Sequence, residues 1–165
     1  MYEKGKMFMR LLVLSDTHGK ALLIDRVLQI EKDAKEVFFL GDVVSDVEEV
    51  MPHYPDRHFH IVHGNCDYFS NYPLFDIVEY PLGTVYFTHG HKHSVKYGTD
   101  VLLTSAKNVG ANIALYGHTH ISAVDYKDGV YLINSGSLAL PRDGKPSYAV
   151  IDITDKGILP AIKRI

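Results

Sequence analysis

Five short apolar runs in this 165-residue sequence end alike, each running into residues that can bind a metal ion. "LLVLS" runs into Asp16-Thr17-His18, "VFFLG" into Asp42, "HIVHG" into Asn65, "VYFT" into His89, and "ALYG" into His118-Thr119-His120. Asp-x-His and His-x-His each set two donors at i and i+2, which point to one side in extended backbone. Taken singly, each motif has an ordinary alternative. A His-x-His is often a polar loop, Asp42 ahead of a helix is an N-cap, and Asn65 is an Asx-turn. Five unrelated turns of this composition in one chain explain the pattern less well than one cluster does.

Together Asp16, His18, Asp42, Asn65, His89, His118 and His120 offer imidazole, carboxylate and amide donors and no thiolate. That set suits Mn²⁺ first, with Zn²⁺, Ni²⁺ or Fe as alternatives, rather than a soft metal or a calcium cage. Seven donors exceed one tetrahedral site and fit two divalent ions roughly 3.5–4 Å apart, sharing a carboxylate. Around them, His91 and His93 are expected at the rim, and Asp46 in an outer shell or on the surface. Arg142 in "LPRDG" either reaches an anionic substrate or is a solvated loop residue.

The elements that must position these residues are legible as well. "RLLVLS", "EVFFLG" and "RHFHIVHG" read as buried strands separated by two helices. Leu23, Val27, Ile30 and Ala34 define the apolar face of the first helix. Val44, Val47, Val50 and Met51 define that of the second, which Pro52 ends. "FDIVEY" and "TVYFTH" form a hairpin, a helix spans about 99–109 with Thr99 or Asp100 to cap it, and "NIALYG" is a strand. "KDG" and "DKG" mark two further hairpins. Early alternation of β and α followed by mostly β predicts two packed sheets with helices outside. Ligand residues beyond the carboxyl ends of such strands converge.

Composition bounds the rest. With 46% hydrophobic and 22% charged residues, the chain reads as one globular domain over 1–165, residues 1–8 forming a loose extension. A formal charge of −3 gives no basic footprint for a nucleic-acid-binding module. The single Cys66 excludes an internal disulfide and favours a reducing compartment. "LLVL" is too short for a secretory signal and no run is long enough for a membrane span, so a cytoplasmic location is expected. Homo-oligomerisation stays open.

The ordered motifs D-x-H (16–18), GD (41–42), GN (64–65), HGH (89–91) and GHTH (117–120) resemble those of the calcineurin-like metallophosphoesterase superfamily. Within it, "LSDTHG", "HGNCD", "YGHTH" and "INSGSLALPR" are similar to the small YfcE-type phosphodiesterases. The resemblance implies a four-layer α/β/β/α sandwich of two mixed β-sheets flanked by helices. It implies one metal on Asp16, His18 and His120, a second on Asn65, His89 and His118, and Asp42 as the bridge. The implied activity is hydrolysis of a small phosphoester, most simply a phosphodiester, by in-line attack of hydroxide generated on the metals. Many relatives carry histidine after the asparagine, where this chain has Cys66. A thiol of ordinary pKa about 8.5 is a less apt proton donor, so Asp67 or His91 are alternative donors and Cys66 reads as a space-filling neighbour. Asn65, His91 and Arg142 are candidate substrate contacts. A different role is implied by Vps29, a retromer subunit of this fold that serves as a protein-interaction scaffold.

Overall fold

The computed structural model describes residues 8–165. Among the described residues, ten strands form two five-stranded sheets. In the first sheet, β1 (Phe8–Leu14) lies parallel to β2 (Glu36–Phe39), which lies parallel to β3 (His58–Ile61). Its other side is the hairpin of β9 (Ser147–Thr154) and β10 (Gly157–Arg164), with β9 antiparallel to β1. In the second sheet, β5 (Gly83–Thr88), β6 (Ile113–Tyr116) and β8 (Val130–Asn134) run parallel. β4 (Phe75–Tyr80) and β7 (Ala123–Lys127) close its two edges antiparallel. The expected hairpins are therefore present. β1 begins at Phe8, one residue inside the stretch expected to be a loose extension, and residues 1–7 of that expectation lie outside the described residues.

Strand periodicity sorts the core into layers. Leu11 and Val13 face the other sheet and meet Phe38, Phe87, Leu115 and Ile151, whereas Leu12 and Leu14 face outward. There they pack against α1 (Ala21–Ile30) and α2 (Val44–Val50). On the far face of the second sheet, Tyr86, Ala114 and Leu132 pack against Leu102, Leu103 and Ala106 of α3 (Asp100–Asn108). Three apolar interfaces thus separate four layers, α/β/β/α.

Two helix readings need correction. α1 buries Ile24, Val27 and Leu28, while Ile30 is half exposed and Ala34 lies beyond the helix, so the apolar face is rotated by one residue. Thr99 occupies the N-cap position of α3 without a side-chain cap bond. For α2 the expected face of Val44, Val47 and Val50 is buried, and the chain tightens into a 3₁₀ turn at Met51–His53, around Pro52. No helix among the described residues is long and apolar enough to cross a membrane.

Candidate metal centre

Because β1, β2 and β3 are parallel in one sheet, and β5, β6 and β8 in the other, the loops after their carboxyl ends gather at one edge of the sandwich. The loop after β1 brings Asp16 and His18, that after β2 brings Asp42, and that after β3 brings Asn65. His89 follows β5 directly, and His118 and His120 follow β6. All seven come together. His120 Nε2 lies 3.1 Å from Asp16 Oδ1 and 3.3 Å from His18 Nε2, and His18 Nε2 lies 3.8 Å from Asp42 Oδ2. Asp42 Oδ2 also lies 3.5 Å from His89 Nε2, which is 3.2 Å from His118 Nδ1 and 3.1 Å from Asn65 Oδ1. Asp42 Oδ2 therefore faces two donor sets at once.

The alternation argument for the two motifs does not hold locally. Asp16, His18, His118 and His120 have φ of 57°, 43°, 67° and 60°, so both motifs leave their strands through left-handed turns rather than extended backbone. Asp42 is also left-handed, at φ 61°. Non-glycine residues in this region carry strain that surrounding structure must hold. Here the holding groups are visible. Ser137 Oγ donates to the Asp16 carbonyl, and buried Asn134 donates to the Gly117 carbonyl and to Thr119 Oγ1. Asp46 accepts from Thr17 Oγ1 and the Gly19 N–H. Asp46 is buried, so it belongs to the support of this loop and not to the surface.

The N-cap alternative for Asp42 fails, since Val43 occupies that position of α2 and makes no cap bond. The acceptor is supplied instead by Asp67. Its Oδ1 accepts from the Val43 and Val44 N–H groups, and its Oδ2 from those of Asp42 and Gly64. All four acceptor positions of that carboxylate are occupied by backbone, so Asp67 organises two ligand loops and is not placed to donate a proton.

Protonation follows from the partners. His89 Nδ1 is 2.7 Å from the Leu40 carbonyl and His120 Nδ1 is 2.8 Å from that of Leu140. A carbonyl only accepts, so both Nδ1 atoms carry hydrogen, which fixes the rings and turns the Nε2 atoms toward the cluster. His118 is pushed down to about 4 by burial, reinforced by His89 and Lys96, and stays a neutral donor. Asp16 works against burial, yet His120, His89 and Ser15 hold its carboxyl below the usual range. Its Oδ2 accepts from Ser15 Oγ and the His118 N–H, while buried Oδ1 receives no hydrogen bond, because the His120 Nε2 that faces it at 3.1 Å presents a lone pair when the ring's hydrogen is on Nδ1.

That orphaned oxygen is the test of fit for a cation. Donors held ~2.0–2.2 Å from one ion lie roughly 3–3.5 Å from each other, which is the spacing of most of these pairs. Asp16, His18, Asp42 and His120 each present one donor atom within 4.8 Å of the others, as a metal site requires. The glycines ahead of the ligands clear the space. A Cβ on Gly64 would overlap Asp42 Oδ1, and one on Gly117 would overlap Ser15 Oγ and come within 2.8 Å of Asp16 Oδ2. Gly117→Ala is accordingly expected to cost ~1–3 kcal/mol of stability through overpacking, read as a lower urea midpoint, with weakened Mn²⁺ binding by calorimetry.

Residues 9–156, a span that contains all five motifs of this cluster, match the calcineurin-like phosphoesterase superfamily domain. The chain belongs to that superfamily. Among its phosphoesterase relatives, the probable metallophosphoesterase YsnB of Bacillus subtilis is 29% identical, over 88% of this chain and 85% of its own. Phosphodiesterase YfcE of Escherichia coli is 26% identical, over 87% of this chain and 88% of its own. The crystal structure of a predicted phosphoesterase from Streptococcus pneumoniae superposes with a TM-score of 0.81 at 26% identity, covering 96% and 90% of the two chains. Vps29 from Cryptosporidium parvum superposes at 0.73 with 20% identity, over 96% and 98%, a likeness of fold alone.

The four peripheral residues His91, His93, Cys66 and Arg142 resolve in different ways. His91 lies beside His89 and His118, with ring centroids 5.5 and 6.1 Å away, and burial pushes it down to about 4. His93 is not at the rim; it is buried, with Nε2 2.8 Å from Tyr86 Oη under α3. Cys66 is exposed, its N–H donates to Asp42 Oδ1, and partial burial with the nearby Asp42 carboxylate pushes its thiol up to about 11. Neither His91 nor Cys66 is matched to proton transfer at neutral pH. Arg142 is exposed, its N–H donates to the His120 carbonyl, and it shares a cavity with Lys96 and Thr119 beside the centre. Lys96 had no motif to mark it, and although Asp67, Asn134 and Ser137 lie in "HGNCD" and "INSGSLALPR", nothing in those motifs marked them as supports of the ligand loops.

Proposed function

We propose that this phosphoesterase is a dimetal phosphodiesterase. Asp16, His18 and His120 would hold one divalent ion, Asn65, His89 and His118 the other, and Asp42 would bridge. The observation that supports this reading is Asp42 Oδ2, which lies 3.5 Å from a donor of one set and 3.8 Å from a donor of the other. Two such cations supply hydroxide near neutral pH and neutralise charge on a phosphoryl group. Mn²⁺ suits the nitrogen and oxygen donors.

The chain's own groups do the rest. The two carbonyl-pinned imidazoles keep their donors aimed without reorganisation, which is the economical form of electrostatic catalysis. Neutral His91 offers an N–H to a phosphate oxygen without adding charge. Arg142 and Lys96, on the side of His118 and His120 where Thr119 opens to the cavity, attract and orient the anionic ester. With Cys66 holding its proton to about pH 11, the reading favours esters with good leaving groups.

The test compares bis(p-nitrophenyl) phosphate with p-nitrophenyl phosphate on Mn²⁺-loaded protein, with metal content measured. Two ions per chain, faster diester hydrolysis, loss on chelation and recovery with Mn²⁺ are expected. Metal-replete protein that hydrolyses neither ester would favour a Vps29-like scaffold role instead. Arg142→Met is expected to raise KM for the diester about 10-fold, the worth of one charge-assisted hydrogen bond, with little change in kcat.

A further inference from the structure

A groove of about 660 Å³ opens directly beside the centre, between the start of α2 and the 66–72 loop. Its size lies within the range of small-molecule sites. Cys66, next to the metal-set residue Asn65 and with its N–H on Asp42 Oδ1, lines the groove, which therefore adjoins the centre. Along it, two consecutive aromatic residues stand in solvent, Tyr68 at 85% and Phe69 at 99% exposure. Exposed large rings are unremarkable singly; two in sequence on the lining of one groove are unusual. The loop carrying them is ordered, since Ser70 N–H donates to the Asp67 carbonyl, Tyr72 N–H donates to Ser70 Oγ, and Asp67 is itself held by four backbone groups.

We propose that this groove binds the nucleobase of a nucleotide phosphoester, the rings of Tyr68 and Phe69 supplying a stacking face. The inference rests on the phosphodiesterase reading and adds the substrate class. The α2 side of the groove is polar, with the Ser45 hydroxyl and the Glu48 carboxylate, and the Asn71 amide adds a polar group on the loop side. A flat group with hydrogen-bonding edges satisfies both walls. An acyl chain would cover Ser45 and Glu48 without giving them partners, and Glu48 repels a second phosphate. An exocyclic amine, as on adenine, meets that carboxylate with the right polarity.

Calorimetric titration of the Mn²⁺-loaded protein with AMP, adenosine and ribose 5-phosphate tests this. Ribose 5-phosphate reads the metal centre alone and adenosine the groove alone. AMP is expected to bind about 10-fold tighter than ribose 5-phosphate, a typical gain from one stacked base. Tyr68→Ala/Phe69→Ala should erase that gain and adenosine binding while keeping the melting temperature. Equal affinities for AMP and ribose 5-phosphate, or a preference that survives in the double variant, overturn the groove assignment. So does a dimer through these rings, seen as a mass lost in the double variant, without an AMP preference. Loss of ribose 5-phosphate binding together with inert chromogenic diester would instead bring down the phosphodiesterase reading, and adenosine binding would still report on the groove.

Discussion

Asp42→Ala is expected to lower turnover by at least ~10³-fold, more than the ~10²–10³ lost with a single transition-state donor, because it touches both donor sets. Oδ1 accepts from the Cys66 N–H at 3.0 Å, and Oδ2 lies 3.5 Å from His89 Nε2 and 3.8 Å from His18 Nε2. Alanine removes the shared oxygen and frees the loop that carries Asn65. Stability without metal should change little, since the variant also removes one of two buried carboxylates, Asp16 and Asp42, from a confined space. The informative readout is therefore linkage. A ligand at 100 times its Kd stabilises a fold by ~2.7 kcal/mol, and the rise in melting temperature that Mn²⁺ gives the wild type should vanish in the variant. Asp42→Asn separates the two oxygens, since its amide oxygen can still accept from Cys66 while the neutral NH₂ faces the imidazoles. It should fold like wild type and bind Mn²⁺ poorly. Undiminished Mn²⁺ stabilisation in both variants would sink the bridging assignment.

Which residues form the centre is legible in the sequence because donor types recur at one structural address, the end of an apolar run. How they are aimed is not. Spacing i, i+2 suggested extended backbone, whereas four of the residues in the two motifs lie at positive φ, a geometry imposed by Ser137, Asn134 and Asp46 from distant parts of the chain. Strand and helix order follow from periodicity, yet α1 is turned so that Ile24 and Leu28, not Ile30, meet the sheet. Periodicity marks a stripe, and packing chooses its centre. His93 illustrates the same limit. Its neighbours in "HGHKH" suggest a site residue, but a 3₁₀ turn over His91–His93 rotates it under α3 and onto Tyr86.

The second large effect concerns a residue that contacts no donor of either set. Asp67→Asn is expected to destabilise the fold by roughly 2–6 kcal/mol, since an unpartnered buried donor costs ~1–3 kcal/mol and the substitution strands two. Each carboxylate oxygen takes two N–H groups, so whichever way the amide is turned, its NH₂ confronts either Val43 and Val44 or Asp42 and Gly64. Asp67→Ala leaves all four donors free, but water can enter this half-buried position, so its cost should be no greater than that of the near-isosteric asparagine. That inverted order is specific to a carboxylate saturated by donors, and urea melts of the two variants measure it. Both variants should also bind Mn²⁺ about 10–100-fold more weakly, the usual penalty for losing support behind a ligand, because Asp42 and Asn65 are set by the loops that Asp67 ties together. An Asp67→Asn protein with wild-type urea midpoint and Mn²⁺ affinity would show that the four N–H groups do not depend on this side chain, and α2 would then need another cap.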